Sequence, residues 1–497
     1  MSRVATALLV FSLSLSGASA LAGDVLASVT GGTLTLAGSA ATDQVSIDQI
    51  GVANAKQFRV VPGVGTTVNG SAVPQLFSPI TKDVAIALGA GSDSVTIVDS
   101  KLPRDLVGES VAANITDIEL DRCRVARHLV GKSNGGSLEL NVRATVVGGD
   151  VRLVGGGQED EILLAQDTLV RGNVVFRGDD GSDDLICNQS AIVGSVRFDG
   201  GAADDGAQLS QATIGGDVRF AGGAGPDSVQ VSSCDIGRMR IDLGDGDDGI
   251  VISATAVHGP LRANLGADAN ECASDHLAVA GALDIRGGGG PDSVHFLEGC
   301  SIERDLKVSL GDGANELVAD TIFVAGGIRA RSGLGADDLS VLDSVIRRDV
   351  RFAPSPTAAI TVDVVTVADS IVLGNIRFDA ASALDATVDG CDVARAVSAR
   401  FGSGSNSIAI PGSIVGGVSI KGVGGAEELE LFAHTHVIGN VTAKLGDGPN
   451  KVKLLTCSVG GDVFAKTGSG DDVFDFTGAV IGGKTTVASG GGADVGP

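Results

Sequence analysis

Gly222-Gly223-Ala224-Gly225-Pro226-Asp227-Ser228-Val229-Gln230-Val231, then Cys234-Asp235-Ile236, then Met239-Arg240-Ile241-Asp242-Leu243, make up one period of this chain. Val229 and Val231 alternate with polar neighbours, and so do Met239, Ile241 and Leu243. That two-residue rhythm belongs to strands that bury one face. Ile236 marks a shorter segment between them. Gly237 and the glycine-rich opening supply the corners, where positive φ is tolerated. The same grammar recurs in Val196-Arg197-Phe198, Val218-Arg219-Phe220, Val350-Arg351-Phe352 and Ile376-Arg377-Phe378.

Outward from this stretch, the motif Gly-x-Gly-x-Asp/Asn-x-apolar recurs at a near-constant spacing. Its fifth position falls at Asp93, then at Asp160, Asp183, Asp205, Asp227, Asp248, Asn270, Asp292, Asn315 and Asp337. It resumes at Asp385, Asn406, Glu427, Asn450, Asp472 and Asp494, after a gap that reads as two long coils with a decayed motif around Ala358. A period near 22 residues with two or three short strands predicts an all-β chain. The expected architecture is a single-stranded parallel β-helix, or β-solenoid, of about 18–19 coils. At ~4.8 Å per coil the rod would be roughly 90 Å long. Strand twist makes a right-handed coil the expectation.

Three segments follow. Residues 1–22 read as a signal peptide: Arg3 precedes an apolar run from Val4 to Leu15, and Ala18-Ser19-Ala20 and Ala20-Leu21-Ala22 offer small-x-small cleavage sites. Residues 23–85 are strand-like but out of phase, and read as an N-terminal β cap over an otherwise open strand edge. Residues 86–497 are the repeats. No later apolar run is long enough to cross a membrane as a helix. The net charge of −25 argues against nucleic acid as a partner. It favours divalent cations.

Seven cysteines in an exported chain would ordinarily suggest disulfides. Five of them (Cys123, Cys234, Cys300, Cys391, Cys457) share one repeat position with Ser344, Ser370, Ala212 and Thr435. They lie several coils apart, too far to bridge. Cys187 and Cys272 fall on apolar strand positions. All seven are expected to be buried free thiols.

In-register stacking places Asp160, Asp183, Asp205, Asp227 and Asp248 in one file, with Glu159, Asp179, Asp180, Asp184, Asp204, Asp245 and Asp247 nearby. Carboxylates one coil apart repel by roughly 1 kcal/mol in water and more where dehydrated. A hard cation held by carboxylates and turn carbonyls would offset this, so Ca²⁺ is the expected cofactor and these five aspartates its expected ligands. The nonapeptide from Gly222 to Gln230, and that from Gly287 to His295, resembles the G-G-x-G-x-D-x-U-x repeat of the RTX, or haemolysin-type, calcium-binding proteins. The resemblance implies calcium between successive turns. It covers the turns only: RTX repeats recur every nine residues, whereas here one motif serves a whole coil. Asn270, Asn315, Asn406, Asn450 and Glu427 interrupt the file and are expected to bind poorly.

A basic file, Arg152, Arg197, Arg219, Arg240, Arg262, Lys307, Arg329, Arg351 and Arg377, is expected on the outside of the rod, laddered with acids such as Asp150, Asp199 and Asp242. His434 and His436 share a strand face without a third ligand in view. No catalytic constellation can be assembled. The chain therefore reads as a secreted, calcium-stabilised β-solenoid, non-enzymatic, with a structural or adhesive role at the cell surface and a surface polysaccharide or protein as partner. The alternative is a carbohydrate-active β-helix, similar to polysaccharide lyases in coil length. It lacks Trp, Tyr and the long insertions from which a cleft is built.

Overall fold

The computed structural model describes residues 23–51, 57–111, 115–353, 362–381 and 383–496. The signal segment expected over 1–22 lies outside them. Every named element is a strand. Each coil presents three faces, as in Ser92–Val98, Lys101–Leu102 and Leu106–Val111. Each face pairs in parallel with the same face of the coils before and after it. On the first face Ala207 lies beside Val229 and Val229 beside Ile250. On the third, Val196, Val218, Met239 and Leu261 follow one another. The β-solenoid of about 22 residues per coil is thus the architecture of the chain, with about 18 turns.

The alternation read from sequence is the packing observed. Val229, Val231, Ile236, Met239, Ile241 and Leu243 are buried, while Gln230, Asp235 and Arg240 are exposed. The interior is one continuous apolar column from Val25 to Phe474. Aromatic rings stack within it. Phe176 meets Phe198 edge-on at 5.1 Å between centroids, and Phe198 stacks on Phe220 at 5.0 Å. Such pairs add about 0.5–1.5 kcal/mol beyond their buried area.

The N-terminal segment joins the solenoid directly. Thr33–Ala37 and Gln44–Gln49 pair in parallel with the third- and first-face strands of the first repeat. Their outer partners, Asp24–Thr30 and Phe58–Pro62, run antiparallel and turn the edge away from further parallel stacking.

One register assignment needs correction. The gap after Asp337 is one long coil followed by one of ordinary length. Asp338 pairs with Val364, so the file continues at Asp363, 26 residues on. Asp363 then lies beside Leu384, and Leu384 beside Asn406. Asp385 is one residue out of phase and points outward, because a single step along a strand reverses the face. The segment around Ala358 lies outside the described residues.

Candidate functional site

The file of acids was expected to hold calcium between successive turns. The structure instead points it inward. Asp160, Asp183, Asp205, Asp227 and Asp248 are at most 3 % exposed, and so are Asn270, Asp292, Asn315, Asp337, Asn450 and Asp472. The cause is the corner that the glycines create. Here the backbone leaves the third face for the first, and the N–H at the corner has no partner in the strand ladder. Buried donors must find one. Each carboxylate supplies it to the coil before. The Asp160 N–H donates to Asp183 Oδ1 at 2.8 Å, Asp183 to Asp205 at 2.8 Å, Asp205 to Asp227 at 2.9 Å, and Asp227 to Asp248 at 2.7 Å. The ladder runs on through Asn270, Asn315 and Asn450 by way of their side-chain carbonyls. It also reaches back into the cap, where the Asp43 N–H donates to Asp93 Oδ1 at 2.8 Å.

The second carboxylate oxygen has a different fate. Oδ2 of Asp183, Asp205, Asp227 and Asp248 is buried with no hydrogen-bond partner. In the first three coils it rests on the glycine five residues earlier. A methyl built on Gly178 would lie 2.0 Å from Asp183 Oδ2 and 2.2 Å from the Gly200 carbonyl oxygen. A methyl on Gly222 would lie 1.9 Å from Asp227 Oδ2 and 2.5 Å from the Leu243 carbonyl oxygen. Glycine is required there for close approach. At Gly201, Gly223 and Gly244, one or two residues on, a positive φ adds a second requirement.

Electrostatics follow from this enclosure. Burial carries Asp183 up to about 8; its N–H bond opposes the rise, and the charges of Asp160, Asp205 and Asp184 add to it. Burial likewise carries Asp205 and Asp227 to about 7, and Asp160 and Asp248, at the ends of the run, to about 6. The inner members of the run are thus the most perturbed; burial leads in every case, and at Asp160 the Gly156 and Leu138 N–H bonds hold the rise back.

At Asp183, Asp205 and Asp227 the surroundings leave no room for the calcium ion expected for the five aspartates. Calcium takes six to eight oxygens at about 2.3–2.6 Å. Here Oδ1 is committed to a backbone N–H. Oδ2 of Asp183, Asp205 and Asp227 packs against a glycine, and the point where it converges with a neighbouring carbonyl is a bond length from the glycine Cα. No ion centre has room there. Among the described residues, no group of three or more His, Cys, Asp or Glu side chains is arranged to hold a metal. Glu159, Asp179, Asp180, Asp204, Asp245 and Asp247 do face solvent.

The other corners carry ladders of their own. At the second, hydroxyls cap the preceding coil: the Cys123 N–H donates to Thr145 Oγ1 at 3.0 Å, and the Cys391 N–H to Ser413 Oγ at 3.0 Å. This is the small-residue file of the sequence. All seven cysteines are buried and free, as expected. The third corner was missed. There Asp83, Asp105, His128, Asp150 and Asn173 each accept the N–H of the following coil, at 2.8–3.2 Å. The signal was present as the Asp or Asn preceding most Val-Arg or Ile-Arg strands, as at Asp150, Asp349 and Asn375.

The basic file lies on the outer surface of the third face. Arg197, Arg219, Arg240 and Arg262 stand in consecutive register, with Val175 before them and Asp284 after. Arg197 pairs with Asp199 at 2.9 Å and Arg240 approaches Asp242 at 3.6 Å. His434 and His436 are exposed, and His436 Nδ1 contacts Ser458 Oγ at 2.6 Å. No helix among the described residues is long and apolar enough to cross a membrane. No family model, curated protein or solved structure matches this chain.

Proposed function

We propose that this protein is an exported structural rod, acting outside the cell as a spacer or adhesive element rather than as an enzyme. The observation that carries the reading is the unbroken register of the three faces through some 18 coils, including the irregular stretch after Asp337. Such a surface offers length and repetition, and active sites need concavity. The Arg3-led apolar segment and its small-x-small sites support export. The outer acids, Asp179, Asp180, Asp204, Asp245 and Asp247, are where divalent cations would meet the rod, as diffuse counter-ions to its charge of −25. The Arg197–Arg262 stripe is where an acidic surface polysaccharide would lie.

Expression of the full chain with a C-terminal tag, followed by fractionation and N-terminal sequencing, tests export. The expected product lies outside the cytoplasm and begins at Leu21 or Gly23. An intact Met1 retained in the cytoplasm would remove the extracellular role. Co-sedimentation with polygalacturonate or alginate tests the stripe. Binding that is lost at high salt and in an Arg219→Ser/Arg262→Ser variant supports it, and absence of binding at low salt removes it.

A further inference from the structure

The asparagines in the file show what its buried corner requires. Asn315 Nδ2 donates to the carbonyls of Gly311 and Gly313 at 2.9 and 3.1 Å, and to Asp337 Oδ1 at 2.9 Å. Asn450 Nδ2 makes the same three bonds, to Gly446, Gly448 and Asp472. Asn270 Nδ2 donates to Ala267, Asp268 and Asp292. In each of these three the side-chain carbonyl takes the N–H of the coil before, whereas Asn406 Oδ1, above Leu384, has no partner. At these asparagine coils the corner therefore presents one donor to one side of the side chain and carbonyl acceptors to the other, whereas at Asp160 both carboxylate oxygens accept, from the Leu138 N–H at 2.6 Å and the Gly156 N–H at 2.9 Å.

An ionised aspartate matches half of this pattern. Its Oδ1 takes the donor, and its Oδ2 then faces acceptors with nothing to give. That is the state of the orphaned Oδ2 atoms of Asp183, Asp205 and Asp227. A carboxylic acid matches both halves, because its O–H donates where the amide does. The charged groups acting on the run are all carboxylates. They are Asp160, Asp205 and Asp184 on Asp183, Asp184 and Asp204 on Asp205, Asp205, Asp248 and Asp204 on Asp227, and Asp247, Asp268 and Asp245 on Asp248. No cation among them favours ionisation. Glu159 adds to the same field at Asp184.

We propose that Asp183, Asp205 and Asp227 form a proton-binding spine, in which they are carried as neutral carboxylic acids that act as asparagines, and that the coils around them loosen when those protons are lost. The proposal goes beyond the extracellular reading and holds wherever the chain resides. The sign is fixed by linkage. The folded state holds these protons to higher pH than the unfolded chain, whose aspartates titrate near 4. Stability is therefore full below about pH 4 as far as these groups are concerned, and falls as pH rises toward 7–8.

The test uses the full chain and its Asp183→Asn/Asp205→Asn/Asp227→Asn variant. Infrared spectra of the wild type between pH 4 and 10 should retain a protonated-carboxyl C=O band at pH 7 that is much weaker in the variant. The wild-type melting temperature should fall between pH 5 and 9, and the variant's should fall less and exceed it at pH 9. Calcium chloride should act alike on both. Absence of the wild-type band at pH 7 would overturn the proposal. So would a variant that is less stable than wild type at pH 9, or a calcium-induced rise in melting temperature that the variant loses. If the variant does not fold, the wild-type band at pH 7 decides, since the aspartates carried only to about 6 are then mostly ionised.

Discussion

Replacing Gly178 by alanine tests the inward geometry of the acid file at one atom. The new methyl would sit 2.0 Å from Asp183 Oδ2 and 2.2 Å from the Gly200 carbonyl oxygen, more than an ångström inside normal contact. The carboxyl can swing only by giving up the Asp160 N–H, now held at 2.8 Å. Overpacking costs roughly 1–3 kcal/mol. A buried N–H left without an acceptor costs about 1–3 kcal/mol more. Against this, alanine lowers the entropy of the unfolded chain by about 0.4–1 kcal/mol. The net expectation is a loss of about 2–5 kcal/mol, concentrated in the neighbouring coils, because a solenoid couples chiefly to its nearest neighbours. The matched control is Gly157→Ala: a methyl there meets nothing within 4 Å, and the change should be neutral or slightly stabilising. Amide exchange in Val151–Val154, Val174–Asp179 and Val196–Ala202 reports the local opening. A loss of about 3 kcal/mol corresponds to roughly a hundredfold faster exchange. If Gly178→Ala exchanged and unfolded in urea as Gly157→Ala does, the carboxyl would not lie against Gly178, and the argument for the file would fail with it.

Three further outcomes follow from the same coordinates. Asn315→Asp should destabilise the rod, and more at pH 8 than at pH 5, because the ionised oxygen would face three acceptors where Nδ2 now donates; urea midpoints at the two pH values check this. Phe198→Ala should cost about 3–5 kcal/mol, since the ring is 1 % exposed and lies between Phe176 and Phe220; limited proteolysis should then cut near that coil, and an unchanged digest would contradict the stack. Thiol titration of the native chain should be negligible, with all seven groups reacting only after unfolding; burial pushes the Cys187 and Cys272 thiols up to about 12 and Cys123 and Cys391 to about 11, far from the reactive thiolate.

The repeat was legible because Gly-x-Gly-x-Asp and the alternating apolar pairs impose the same spacing independently. The direction of the aspartates was not. Asp at a glycine-rich turn is ordinarily a solvent-facing residue, and the tight seat on Gly178 or Gly222 involves a carbonyl from another coil. The exchange of Asp for Asn along one file was the available clue. It reads as relief of repulsion, but the three donor bonds of Asn315 and Asn450 show that it expresses a need for a donor. The slip at Asp385 has a local remedy. Leu384, Ala386 and Val388 are the buried alternation, so Leu384 takes the file position and Asp385 cannot. Asp43 escaped notice because its neighbours Ala41-Thr42 lack the glycine pair, although its N–H enters the same ladder.

The directions of the three corner ladders explain how a rod with no helix among its described residues, and no bridge between its cysteines, keeps its coils in step. At the acid and hydroxyl corners a side chain takes an N–H from the coil before, as in Asp160 to Asp183 and Cys123 to Thr145. At the third corner it takes one from the coil after, as in Asn173 to Asp150. Each coil is therefore tied on both sides by side chains of opposite sense. A shift of one residue along any strand would break all three sets together, since each side chain would then point to the other face. Apolar packing alone tolerates sliding between similar coils, because a valine over a valine is much like a valine over an isoleucine. A carboxyl or hydroxyl aimed at a single buried N–H does not. Register in this protein is thus a property of its polar corners. Where one corner fails, as at Leu384, the Asp363 N–H turns instead to the Ala383 carbonyl at 3.3 Å, while Ser370 and Asn375 hold the other two corners by accepting the N–H groups of Ser344 and Ala396.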